Sequence, residues 1–350
     1  MRRSNSRCWM AVLLVAWGCT TACAGQKGDA PPSAKQIAEW ARQLDDDAFS
    51  VREAASRNLL KAGQAAIEPV AAAAAGSSLE VTTRSIDILA ELASAGATAR
   101  PAKEALSKLA TSEHPATAVR ASKALRAYQQ RIAATLARSG AQVQTRDGQF
   151  VAVNFDAATE LGENLRLLHE LPDVEEVSLS NPLMDDAGLA ELAGLPRLRE
   201  LNLFNSRVSD AGLKHLKTLP SLRRVPMGMT QVTDRGLVHL KDLTQLEYVG
   251  LRGNQVTDAG LVHLKNLTNL TGLYLGETKV TDAGLVHLRP LAKLNMLLLD
   301  QTKVGDAGLE HLNGLEELRD LDLSDTQVTA AGVAGLKKAL PQVEIRLKQP

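Results

Sequence analysis

The sequence predicts a stacked α/β repeat array, a solenoid, preceded by an all-helical segment. Three observations lead there. Gly188, Gly212, Gly236, Gly260, Gly284, Gly308 and Gly332 stand 24 residues apart without a slip. Paired apolar residues keep the same time, as at Leu201/Leu203, Val249/Leu251 and Leu273/Leu275. The nonapeptide VTDAGLVHL occurs at 256–264 and again at 280–288. Alternating apolar residues mark a strand, while the spacing of Leu261, Leu264 and Leu267 marks a helix face. Each unit therefore reads as a short strand, a turn and a short helix. One such unit cannot bury two apolar faces alone, but stacked units cover one another.

The chain opens with an export-type segment. Arg2, Arg3 and Arg7 form a basic stretch, followed by the apolar run CWMAVLLVAWG at 8–18, too short to span a bilayer at about 20 residues. TTAC at 20–23 and AWGC at 16–19 resemble the bacterial lipobox, although Thr20 or Ala16 stands where an aliphatic residue is usual. This makes Cys23 and Cys19 the lipidation candidates, with a membrane attached through the lipid. ACA at 22–24 offers ordinary A-x-A cleavage instead. Residues 1–24 read as a signal peptide and 25–32 as a polar linker. The three cysteines all lie in the first 23 residues, which leaves the rest no disulfide, Cys–zinc site or thiol nucleophile. Lys+Arg and Asp+Glu both number 40, so no basic surplus points to nucleic acid.

Residues 33–139 read as helical. VREAASRNLLKAG at 51–63 has apolar spacings of three and four and ends at a glycine suited to a C-cap. VTTRSIDILAEL at 81–92 and AVRASKALRAY at 118–128 are weaker versions. With LDDDAFSVREAA at 44–55, this segment resembles HEAT-like repeats, which implies paired helices, about three pairs here. Thr82 stands where the pattern has arginine.

Residues 140–173 read as a cap and a degenerate repeat. AQVQTRDGQFVAVNF suggests a hairpin turning at Asp147-Gly148, and FVAVNF at 150–155 falls on the 24-residue clock. From 174 to 350 the units, such as LRELNLFNSRVSDAGLKHL, resemble leucine-rich repeats of the form L-x-x-L-x-L-x-x-[N/T]-x-[V/L]. The resemblance implies a curved, right-handed solenoid with a parallel sheet on the concave side and short helices on the convex side. VEIRL at 343–347 supplies a last strand.

Within each repeat, Thr257 reads as an N-cap, Asp258 as an N1 residue favoured by the helix dipole, and Val256 with Leu261 as a hydrophobic staple. Gly260 lies inside the helix, where glycine costs about 1 kcal/mol relative to alanine, so a close approach there is expected. His215, His239, His263, His287 and His311 form a column. Neighbouring helices stand about 10 Å apart, whereas zinc needs each nitrogen at about 2.1 Å. No metal or cofactor site is expected, and no catalytic motif occurs.

The informative positions are those pointing outward from the strands. Tyr248, Tyr274, Phe204, Arg224, Arg252, Met296 and Leu298 fall on the concave face, and tyrosine and arginine are favoured as interface anchors. Neighbouring glycines are expected to leave hollows beside the rings. Pro226 removes a ladder donor, so local irregularity is expected. The reading is a non-catalytic, extracytoplasmic scaffold in the periplasm or cell envelope that binds a protein or peptide on this face. The alternatives are an envelope enzyme using Asp300 with Asp320 or Asp322, and a structural spacer without a ligand.

Overall fold

The computed structural model describes residues 31–76, 78–94 and 98–348. Cys19, Cys23 and the signal segment lie outside the described residues. The chain divides into two compact units, Met1–Arg120 and Ala121–Pro350.

The first unit is helical: α1 (Ala34–Arg42), α2 (Phe49–Ala62), α3 (Ile67–Gly76), α4 (Leu79–Leu92), α5 (Ala99–Ala110) and the start of α6 (Pro115–Arg138). Ser33 and Gln36 close a capping box on α1. Leu44, Ala55, Leu59, Val70, Leu89 and Leu106 are buried in its core. Arg52 donates to the carbonyls of Asp46 at 2.6 Å and Asp47 at 2.9 Å, which ties the preceding loop to α2. Thr82, at the corresponding place in α4, is too short for that role and donates to Ala74 O at 3.3 Å. Among the described residues α3 packs against both α4 and α5, and α1 packs against α2. By packing, α6 passes into the second unit at Ala121, before it ends at Arg138.

The second unit holds one sheet whose ten strands follow chain order among the described residues. Strands β1 (Gln142–Arg146) and β2 (Gln149–Asn154) form an antiparallel hairpin. Its turn residues Asp147 and Gly148 both have positive φ, as a type I′ turn requires. Parallel strands follow: β3 (Glu176–Ser178), β4 (Glu200–Asn202), β5 (Arg224–Pro226), β6 (Tyr248–Gly250), β7 (Gly272–Tyr274), β8 (Met296–Leu298), β9 (Asp320–Asp322) and β10 (Glu344–Arg346). Each is offset by 24 residues from the last, so Tyr248 lies beside Gly272 and Gly272 beside Met296. Pro226 has no N–H to give, and the β4–β5 ladder contracts to the single pair Glu200↔Arg224.

The far side of each coil is a short helical turn: α7 (Gly162–Arg166), α8 (Asp186–Glu191), a 3-10 turn (Leu213–Thr218), α9 (Asp234–Leu237), α10 (Asp258–Leu261), α11 (Asp282–Leu285), α12 (Asp306–Leu309) and α13 (Ala330–Ala339). Leucines from both sides, such as Leu261, Leu264, Leu273 and Leu275, are fully buried between them. The repeat's polar position is satisfied locally, with Thr278 donating to Leu275 O at 2.6 Å and Thr302 to Leu299 O at 2.7 Å.

The first residues of these turns do more than cap. Thr257 Oγ1 accepts from Ala259 N–H at 3.3 Å, as an N-cap should. Asp258 reaches the next coil, where Thr281 donates its N–H at 2.8 Å and its hydroxyl at 2.7 Å to the two carboxylate oxygens. The same clasp joins Asp186 to Ser209, Asp210 to Thr233, Asp234 to Thr257 and Asp306 to Thr329. At Asp306 these bonds hold the carboxyl below the usual range. The clasp explains the glycine clock. A Cβ at Gly260 would land on the Asp234 carboxylate and within 2.9 Å of Leu237 Cδ1. One clasp is incomplete: Gly305 gives its N–H to Asp282 at 2.6 Å but has no hydroxyl, and α12 has no side-chain cap.

Gly260→Ala should lower stability by about 1–3 kcal/mol despite the better helix propensity of alanine, as read by urea unfolding. Gly305→Thr should raise it by about 0.5–1.5 kcal/mol in the same measurement. It supplies both the cap and the missing hydroxyl at an extended φ of −121°, with Asp282 Oδ2 3.5 Å from the new Cβ.

Candidate functional site

The outward positions of β2–β10 form three columns on one face of the sheet, because alternate strand residues point to opposite sides. Tyr248, Tyr274, Arg224, Arg252, Met296 and Leu298 all lie on it, and Phe204 stands just past the end of β4. Strand pairing sets Tyr274 beside Leu298 and Arg224 beside Tyr248. Phe204 is 39% exposed and Met296 36%, whereas the two tyrosines are half-buried.

The rings do not stand beside open hollows, as the sequence suggested. Tyr248 lies across Gly272 and Gly250, where added Cβ atoms would fall 2.7 and 3.3 Å from its ring carbons. Phe204 covers Gly228 in the same way, at 3.1 Å. A glycine on a pleated sheet leaves bare backbone, and a neighbouring ring that folds onto it removes apolar surface from water. Asp300 fills the equivalent space beside Gly276.

Nor do the two arginines project freely. The Arg224 guanidinium sits 4.8 Å from the Tyr248 ring centre and donates to Glu200 at 2.9 Å. Arg252 lies 5.5 Å from the Tyr274 ring centre, donates to the Tyr274 hydroxyl and to Glu277, and faces Asp300 at 3.7 Å. Both act as struts that hold the tyrosines flat by cation–π contact. Glu277 was not among the expected site residues. It belongs to a column of left-handed residues after β4, β5, β7, β8 and β9, with Asn205, Met229, Gln301 and Asp325, each at φ between 55° and 58°. Met229, 42% exposed and packed against Gly253, is a second addition to the face. The signal was the position one residue past the third outward column.

Acidic groups gather at both ends. Asp156 accepts from Ser178 and Ser180, each at 2.8 Å. The exposed carboxylate of Glu176 has no hydrogen-bond or ion-pair partner among the described residues. At the other end Arg346 donates to Asp322 at 2.9 Å and pairs with Asp320 at 3.0 Å. Asp300 is only 9% exposed, and burial pushes its carboxyl up, with the nearby Asp322 and Glu277 adding to the effect and Arg252 opposing it. Asp322 is also partly desolvated, but hydrogen bonds from Ser324 and Arg346 outweigh this and hold it low.

The histidine column lies on the helical side. His311 Nδ1 accepts from Arg289 Nη2 at 2.7 Å. No group of three His, Cys, Asp or Glu among the described residues is placed to hold a metal ion.

No protein-family model matches the chain, and no curated protein matches it. Solved structures similar to it include an internalin (InlF) from Listeria monocytogenes, with 25% identity, a TM-score of 0.43, and coverage of 51% of this chain and 49% of that one. The match thus spans about half of that internalin's length. Internalin C2 of the same organism gives 23% identity, a TM-score of 0.48, and coverage of 63% and 92%. The Arabidopsis receptor kinase HAESA ectodomain, solved with a peptide hormone, gives 18%, 0.46, and coverage of 64% and 41%. In-register parallel strands at 24-residue offsets, with leucines filling every coil, give this chain the leucine-rich repeat fold, with a helical segment before the repeats.

Proposed function

We propose that this protein is a non-catalytic scaffold that binds a protein or peptide on the concave sheet face. In this reading it works outside the cytoplasm, exported by its N-terminal segment and held at the membrane through a lipid on Cys23 or Cys19. The observation that carries the binding reading is the apolar tract from Phe204 and Met229 through Tyr248 and Tyr274 to Met296 and Leu298. Exposed apolar residues gathered on one face mark interaction sites, and rings already fixed by arginine struts lose little freedom on binding. Affinity capture from envelope extracts tests it. The wild type should retain a specific partner that the Tyr248→Ala/Tyr274→Ala protein loses by tenfold or more; equal recovery by both proteins would leave only a spacer role.

One observation favours a second reading, an envelope hydrolase: Asp300 and Asp322 are driven in opposite directions, as in acid/base carboxylate pairs. Against it, the Asp300 carboxylate fills the space beside Gly276 instead of facing a cleft. Turnover of a cell-wall substrate by wild type, absent in Asp300→Asn, would establish it.

The scaffold reading makes Asp300 a buried charge held at a cost. A carboxyl whose folded pKa is raised is penalised when ionised, and the penalty is relieved as pH falls through that raised value. Asp300→Asn should therefore gain on the wild type at neutral pH. The gain should vanish as pH falls through the upper carboxylate range, as read by paired urea unfolding curves.

A further inference from the structure

The charge on the face is not evenly spread, and its distribution bears on what can dock there. At the β2–β4 end Asp156, Glu176 and Glu200 face one cation, Arg224, which Glu200 already holds. A hollow of about 140 Å³ opens here, lined by Asn154, Glu176, Ser178, Glu200 and Asn202 among others. The Glu176 carboxylate borders it with no partner of its own among the described residues. At the β8–β9 end Asp320 and Asp322 share Arg346, while Arg252 is divided between Glu277 and Asp300. Beyond them Glu344 and Lys348 offset each other. Between the two ends lies the apolar tract, where the only cations among the described residues, Arg224 and Arg252, are spent on internal partners. The face is therefore negative, apolar, then negative, along the axis on which strands stack.

Resting on the concave-face reading above, we infer that the ligand is an extended cationic peptide lying across the strands. One basic side chain enters the hollow beside Glu176 and Glu200. Aliphatic residues cover Tyr248, Tyr274 and Met296. A second basic side chain meets Asp320 and Asp322. From β3 to β9 there are six strand spacings, about 29 Å at ~4.8 Å each, which about nine extended residues span at ~3.3 Å per residue. An acidic peptide on the same tract would bring like charge against both ends, and like-charge juxtaposition is how such a surface rejects partners.

Fluorescence anisotropy on the purified full-length chain tests this with capped nonapeptides. One carries lysine at both ends and alternating leucine and serine between; the others carry glutamate or glutamine at the ends, and a further one has its lysines four residues apart. The lysine nonapeptide should bind about tenfold or more tighter than the glutamate one and lose affinity with added salt. It should also bind more tightly than its short-spaced counterpart. Glu176→Gln and Asp320→Asn should each weaken it about threefold, in line with exposed ion pairs. Equal binding of the lysine, glutamine and glutamate peptides, all lost in Tyr248→Ala/Tyr274→Ala, would overturn the charge inference and leave the concave site standing. Lysine-peptide binding untouched by all four substitutions would place the site elsewhere and overturn it. Failure of every peptide to bind would remove the peptide reading of the concave face together with this inference.

Discussion

The solenoid depends on one contact: the aspartate that opens each helical turn reaches across to the coil that follows it. There it accepts the backbone N–H and, at all but one joint, the hydroxyl of the next cap residue. The contact works only if the glycine three residues after that cap carries no Cβ, because the carboxylate occupies that space. Three residues of every coil are thereby tied to their neighbours: the aspartate, the cap and the glycine. Any length other than 24 would break the clasp on both sides at once. The leucines supply most of the burial, but burial is non-directional and tolerates slippage. The directional clasp is what fixes the register.

Fixed register on one side frees the other. The strands are three residues long, and their inward residues belong to the core. Their outward residues meet only the outward residues of the coils before and after, at about 4.8 Å. This lets unlike residues follow one another along a column, as in Arg224, Tyr248, Gly272 and Met296. Tyr248 uses that freedom by lying over Gly250 and Gly272, and Arg224 and Arg252 brace the two tyrosines. The result is a low, firm surface instead of a groove with mobile anchors. Such a surface suits a ligand that is itself extended and complementary in charge, since little ordering of the protein is needed on contact.

Much of this was legible in the sequence because period and pattern are properties of the chain. The 24-residue coil, the hairpin at Asp147-Gly148, the threonine caps and the irregularity at Pro226 all follow from residue type and spacing. Which residues share the concave face was legible too, from alternation and the clock. What those residues do there was not. Whether Tyr248 projects or lies down depends on the room above Gly250 and Gly272, a matter of neighbours 2 and 24 residues away at once. Arg224 and Arg252 looked like free anchors because their partners, Glu200 and Glu277, are remote in sequence or lie outside the strand columns. The second bond of Asp258 was hidden for the same reason, since dipole and capping arguments look only along one helix. In the helical unit, the weak pattern at 118–128 marked a real helix, α6, and the strand that follows it was legible as the first arm of the Asp147-Gly148 hairpin.

Pro226 carries a further consequence. Arrays of this kind gain cooperativity from the interface between each unit and the next, and they come apart where that interface is poorest. The seam between β4 and β5 keeps its flanking bonds, from Leu203 to Pro226 O and from Asn205 to Gly228 O, but it has lost a rung at its middle. It lies between the hairpin end and the tyrosine-bearing coils. The array is thus built as two blocks with a compliant joint. Amide exchange would be fastest across that joint, and a flexing motion there would tilt Phe204 relative to Tyr248 without unfolding either block.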